Sequence, residues 1–259
     1  MNIDFYSRGK EEINQDYVLT GNSPFPYLIV ADGCSSTPNS ERASMLLAYA
    51  ARNSFLIPYP ILNDYQTATW FMVDRMRSFS SVLNITDPLD ATLLLAWVDG
   101  DMVKFRFYGD GLFFWKDKKD VIHCYQVEFE KNMPFYLRYL VNPKDYEIYK
   151  SQVSFKTLNR YDNGLLIDSQ NIPIESKLEH ELFASEIKLF GIASDGLCSF
   201  FSKDSMQMLL FPRVLEEALD FKNTTGEFVK RRLRRMIREY EKKEIVQTDD
   251  VSIAIVNLE

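Results

Sequence analysis

Histidine is almost absent. The 259-residue chain holds two, His123 and His180, too few to support an imidazole-based metal site or a Ser-His-Asp triad. Cysteine is scarce as well: Cys34, Cys124 and Cys198 are odd in number and widely spaced. They suggest neither a disulfide framework nor a paired zinc site, and they fit a reducing compartment. Positive charge is in deficit, with a formal net charge of -7. That argues against a general nucleic-acid surface, which neutralises phosphates with an excess of Lys and Arg. No apolar run is long enough to span a bilayer, and residues 1–8 lack an apolar signal core. The expectation is a soluble cytoplasmic protein with no nucleic-acid and no membrane partner. With imidazole and thiol so sparse, catalysis has to come mostly from carboxylates.

What the chain does hold is apolar material, 46% of its residues, ample for a large core and too much for disorder. It also places acids at the ends of its short apolar runs. Tyr27-Leu-Ile-Val-Ala-Asp32-Gly33 reads as a buried strand that delivers a carboxylate where the backbone turns out of the core. Leu189-Phe-Gly-Ile-Ala-Ser-Asp195-Gly196 repeats the pattern. Asp249 and Asp250 precede the apolar run 251–257, Asp16 precedes Tyr17-Val18-Leu19, and Asp110 ends the run 103–108. Acids at strand mouths in separate parts of the chain suggest one shared site with oxygen ligands. Isolated acids at turns, such as Asp99, Asp101 and Asp162, read as turn residues.

Taken in order, residues 3–8 suggest a first strand, and Asn22-Ser-Pro-Phe-Pro suggests a turn that pairs the Asp16 strand with the Asp32 strand. Ser40 is expected to cap a helix carrying Ala43, Leu46, Leu47, Ala50 and Phe55 on one face, ended by Pro58 and Pro60. Met and aromatic residues at helical spacing predict a second helix over 64–83. A hairpin follows, with Asp99-Gly100-Asp101 as its turn. The stretch 122–186 is mixed and reads as strands with an inserted loop or flap. Short helices are expected over 203–210 and 214–221, and a longer basic one over 226–244. The run Lys230-Arg231-Arg232-Leu233-Arg234-Arg235 reads as a solvated helix face. The order lacks βαβ alternation and sequence repeats. It predicts an α+β fold, a sheet-on-sheet core flanked by helices, as a single domain over 1–259.

The ordered set Asn14-Gln15-Asp16, Val30-Ala31-Asp32-Gly33, Gly109-Asp110, Ala193-Ser194-Asp195-Gly196 and Asp249-Asp250-Val251-Ser252-Ile253 resembles the motif series of the metal-dependent protein phosphatase 2C family. The resemblance runs from Asp16 to Val256. It implies an α-β-β-α sandwich with two packed antiparallel sheets and a binuclear Mn²⁺ or Mg²⁺ centre at one end. By motif position, Asp32 would bridge both metals and the Gly33 carbonyl would also be a ligand. Asp195 and Asp249 would complete one metal's shell, and Asp16 would hold that shell by hydrogen bonds or through water. Asp110, again with Asp195, matches a weaker third site. The resemblance further implies hydrolysis of phosphoserine and phosphothreonine in proteins by a metal-activated water, opposite a cognate Ser/Thr kinase, with Asp32 and Asp16 as the catalytic acids. Hard cations prefer oxygen ligands, and a metal-held hydroxide needs no side-chain nucleophile.

Several positions depart from that pattern. Cys34 stands where many members carry a histidine, and it reads as a small packing residue. Glu11 falls where the family often has an arginine that grips the substrate phosphate, which leaves Arg8 or Lys10 as the phosphate-binding candidates. Ser199 stands where a further acid for the third metal is common. Two other readings remain open: a catalytically weak or inactive module that binds a phosphoprotein or regulatory partner, and a phosphatase of small metabolites.

Overall fold

The computed structural model describes residues 1–56, 63–83 and 89–259. Its larger sheet has seven strands in the order β1 (Asn2–Arg8), β15 (Val251–Asn257), β11 (Ile187–Ala193), β6 (Gly111–Asp117), β7 (Ile122–Phe129), β8 (Phe155–Asp162) and β9 (Leu165–Pro173). A second sheet has five, in the order β10 (Leu178–Phe183), β5 (Met102–Tyr108), β4 (Ala91–Asp99), β3 (Tyr27–Gly33) and β2 (Asp16–Gly21). The paired strands of both sheets run antiparallel. Helices α1 (Ser40–Phe55) and α2 (Tyr65–Leu83) cover the five-stranded sheet, and α5 (Phe211–Ala218) and α6 (Phe228–Glu241) cover the other. Within the expected flap region, 122–186, the chain forms β7 to β10 together with α3 (Arg138–Val141) and α4 (Pro143–Lys150).

Strand alternation accounts for the layering, because successive side chains point to opposite faces. In β15, Ile253 and Ile255 pack against α5 and α6 with Val214, Leu233 and Met236, whereas Ala254 and Val256 face the other sheet. Val30 and Leu94 share that inter-sheet core with Phe105, Phe113 and Phe190. The rings of Phe105 and Phe113 meet across the sheets with centroids 4.8 Å apart. On the outer face of the five-stranded sheet, Ile29, Leu93 and Leu95 pack against Leu47 of α1 and Met72 and Met76 of α2. The result is the expected sandwich of helices, two sheets and helices.

Three local expectations are corrected. Residues 203–210 are not a helix: β12 (Phe200–Ser202) and β13 (Gln207–Met208) form a hairpin, and β12 also pairs with β14 (Ile245–Gln247) in a small third sheet. Met206 at φ 54° closes the turn, and pairing with a distant strand overrides a helical pattern too short to decide by itself. Ser40 is not the cap of α1; Asn39 holds that position at φ 60°, and the Ser40 hydroxyl accepts from Gln15 Nε2 at 2.7 Å. The longer basic helix starts later and ends earlier than expected, at Phe228–Glu241. Its Arg231, Arg234 and Arg235 are exposed, as a solvated face requires. Pro58 and Pro60 lie outside the described residues. Among the described residues, no helix is long and apolar enough to cross a membrane.

Candidate functional site

Every expected acid stands where a strand ends or the chain crosses between sheets. Asp16 opens β2 directly opposite Asp32 at the end of β3. Asp110, between β5 and β6, sits where the chain leaves the five-stranded sheet for the seven-stranded one. Asp195 follows β11, and Asp249 and Asp250 precede β15, its antiparallel neighbour. Packing the two sheets face to face therefore gathers acids from both at one end of the sandwich.

Glycines allow the close approaches. A Cβ on Gly196 would lie 1.7 Å from the Asp250 carbonyl oxygen, and one on Gly33 would lie 2.5 Å from that of Ser40. Only glycine lets the Asp195 turn press against the start of β15 and lets the Asp32 turn slide under α1. Ser194 stitches the sheets together. Its hydroxyl donates to Asp16 Oδ2 at 2.8 Å and accepts from the Ser252 N–H at 3.1 Å.

Asp16 and Asp110 are buried, Asp32 and Asp195 partly so. Burial pushes the Asp16 carboxyl up to about 7, with hydrogen bonds from Ser194 and Ser252 opposing. Desolvation holds Asp32 well above the usual carboxylate range, and the charges of Asp16, Asp195 and Asp110 add to it. Asp110 is raised by burial and by Asp195, and Asp195 by burial and by Asp249. Oδ1 of Asp16 and Oδ1 of Asp195 are buried without a hydrogen-bond partner among the described residues. Unpaired buried carboxylate oxygens are costly, and an all-oxygen donor set of this kind suits a hard dication. Among the described residues, no group of three or more His, Cys, Asp or Glu is placed to hold one ion. Asp110, Asp195 and Asp249 line a cavity of about 300 Å³ together with Ser199 and Glu128.

The fold has counterparts. The protein phosphatase 2C family model matches residues 6–238. The chain belongs to the protein phosphatase 2C family. No curated protein matches it. Among solved structures, the serine/threonine phosphatase Stp1 from Staphylococcus aureus is 10% identical at a TM-score of 0.53, covering 99% of this chain and 94% of that one. The catalytic domain of the serine/threonine phosphatase PstP, solved with two manganese ions, is 13% identical at a TM-score of 0.51, covering 99% and 97%. A protein from work on the bacterial stressosome, a modular system adapted to control secondary messenger signalling, is 15% identical at a TM-score of 0.53, covering 98% and 97%. These likenesses concern the phosphatase 2C fold.

The two basic candidates part company in this phosphatase 2C chain. Arg8 Nη2 lies 3.0 Å from Glu241 Oε1 on α6, whereas Lys10 Nζ lies 3.1 Å from Asp249 Oδ1, at the acids. Cys34 is partly buried, with its sulfur 3.1 Å from the Ser36 hydroxyl. Sequence reasoning assigned no role to three residues. Asp250 accepts from the backbone N–H of Lys10 at 2.7 Å and of Gln15 at 2.6 Å, which ties down the loop before Asp16. Its place beside Asp249 was the available signal. Buried Asp90 accepts from Arg138 Nη1 at 2.6 Å and from the Thr37 hydroxyl at 3.0 Å, anchoring α3 to the loop after Asp32. Glu128, inside β7, carries no signal in sequence because nothing marks that strand's end as part of the site.

Proposed function

We propose that this protein is a metal-dependent phosphatase of phosphoserine and phosphothreonine in proteins, working opposite a Ser/Thr kinase. The gathering of Asp16, Asp32, Asp110, Asp195 and Asp249 at one end of the sandwich, with unpaired oxygens on Asp16 and Asp195, carries this reading. Two Mn²⁺ or Mg²⁺ ions, when bound, supply a water acidic enough to attack phosphorus and positive charge for the phosphoryl oxygens. In this reading Asp32, the Gly33 carbonyl, Asp195 and Asp249 hold the ions. Asp16, fixed by Ser194, orients that shell as a positioning residue, and Asp110 with Asp195 offers a weaker third site. Lys10, already at Asp249, is better placed than Arg8 to meet a phosphate.

The test is hydrolysis of an aryl phosphate and a phosphothreonine peptide with Mn²⁺, Mg²⁺ or excess chelator. Turnover is expected only with added metal, and a folded Asp32→Asn protein is expected to lose it by on the order of 100-fold or more. Full activity in chelator would sink the proposal. A second reading, a regulatory module without turnover, is favoured by the Lys10 ammonium resting on Asp249, where a cation would have to displace it. The stressosome-related neighbour fits that reading too. Metal binding by calorimetry with no hydrolysis of either substrate would select it.

A further inference from the structure

A larger cavity of about 630 Å³ lies between the β8–β9 hairpin and the start of α5. Its inner end shares Gln126, Glu128 and Cys198 with the acidic cavity, so the two adjoin. Tyr161 and Phe211 meet in its wall, edge to face, with centroids 4.8 Å apart. Its outer end is apolar and open: Leu165, Leu166 and Leu210 are 70%, 56% and 78% exposed. Leu165 and Leu166 begin β9, the last strand of the seven-stranded sheet, and every residue of β9 except Ile172 is exposed. A long edge strand with exposed apolar side chains and unpaired backbone groups is a template for an added strand.

We propose that β9 and the adjoining groove dock an extended apolar segment of the phosphoprotein substrate and lead its phosphorylated residue to the acids. The inference rests on the phosphatase reading. Its adjacency to the acidic cavity favours a substrate over other occupants. A second copy of this chain fits poorly. Antiparallel self-pairing along all of β9 sets Ser169 against Ser169 and the apolar residues 165–167 against Asn171, Ile172 and Pro173. Of the three only Leu166 meets an apolar partner, Ile172; Ile167 faces Asn171, and Leu165 faces a proline that cannot donate. Centring the pair on 165–167 instead leaves too short a strand.

The register sets a distance. Gly111, next to Asp110, lies in one row with Val127, Leu158 and Gln170 across β6, β7, β8 and β9. A strand added outside β9 stands four spacings from β6, about 19 Å, and Leu166 lies four residues, about 13 Å, along β9 from Gln170. The diagonal is about 23 Å, which an extended chain covers in about seven residues, so the docking segment stands about seven residues from the phosphorylated one.

The probes are two phosphothreonine peptides, one with a Val-Ile-Val segment seven residues from the phosphothreonine and one with Gly-Ser-Gly in its place. Wild type is expected to favour the apolar peptide by about tenfold in kcat/KM and in fluorescence anisotropy, with hydrolysis of an aryl phosphate as the reference rate. Leu166→Asp, and independently Leu210→Asp, are expected to erase that preference relative to the reference. Equal handling of both peptides by wild type would overturn the proposal. So would a wild-type dimer in sedimentation velocity that Leu166→Asp splits. Apolar-peptide binding that depends on Leu166, in a protein that hydrolyses neither the peptides nor the aryl phosphate, would support the docking surface and sink the phosphatase reading.

Discussion

Lys10 and a metal ion would compete for Asp249. The ammonium donates to Oδ1 at 3.1 Å, and that hydrogen bond raises the lysine above its ordinary pKa. Asp249 remains 45% exposed at its side chain, so water screens the pair, and such exposed pairs are worth at most about 1 kcal/mol. A dication binding at Asp249 has to displace the ammonium at roughly that cost. Lys10→Met is therefore expected to tighten Mn²⁺ binding by up to about fivefold in calorimetry, and to raise KM for a phosphopeptide if the lysine also meets the phosphate. Unchanged metal affinity would remove Asp249 from the ligand set. The acids themselves were legible in sequence because each stands at one end of an apolar run, and the Asp-Gly pairs mark the turns that Gly33 and Gly196 make possible. Glu128 and the Lys10–Asp249 contact were not, since residues far apart in the chain meet only through pairing of the sheets.

Among the elements, the loop from β1 to β2 depends on one side chain at the mouth of β15. Asp250 takes two backbone N–H groups of that loop on its two oxygens, and the loop in turn presents Asp16 to Asp32. Gln15, in the same loop, carries the neighbouring contacts, its carbonyl accepting from Gly33 N at 3.2 Å and from the Ser44 hydroxyl at 2.5 Å. Asp250→Ala leaves two partly buried donors without partners, each costing about 1–3 kcal/mol. A loss of about 3 kcal/mol in urea unfolding is expected, with a smaller loss for Asp250→Asn, which keeps one acceptor. Metal affinity should fall by about 10- to 100-fold with it, as for other residues that orient ligands. An Asp250→Ala protein as stable as wild type would show that the loop is held elsewhere. Strong periodicity made α2 and the β4–β5 hairpin readable, whereas β13 was misread as helix and β12 went unread because a two- or three-residue strand exists only through its partners.

For the molecule as a whole, the clustered acids make stability depend on pH and metal together. The Asp16 carboxyl is raised from 3.8 to about 7 in the fold, and Asp32, Asp110 and Asp195 are also raised. The folded state thus binds more protons than the unfolded chain between about pH 4 and pH 7, so metal-free stability falls as pH rises through that window. The melting temperature of chelated protein is expected to be higher at pH 5 than at pH 7.5. Mn²⁺, which takes the place of those protons, should raise it more at pH 7.5 than at pH 5. A chelated protein whose melting temperature rises across that window would contradict this account of the acids. At this scale the sequence by itself determined the sandwich and the acids at its strand ends, because two-residue alternation and strand-ending Asp-Gly pairs are local properties of the chain. Which acids meet, which one is held by Lys10, that Asp250 clamps the loop, and that β9 is left as an open apolar edge were decided only by tertiary structure. Each of these follows from the order in which strands pair across long separations, and that order is written in packing between sheets rather than in any single segment.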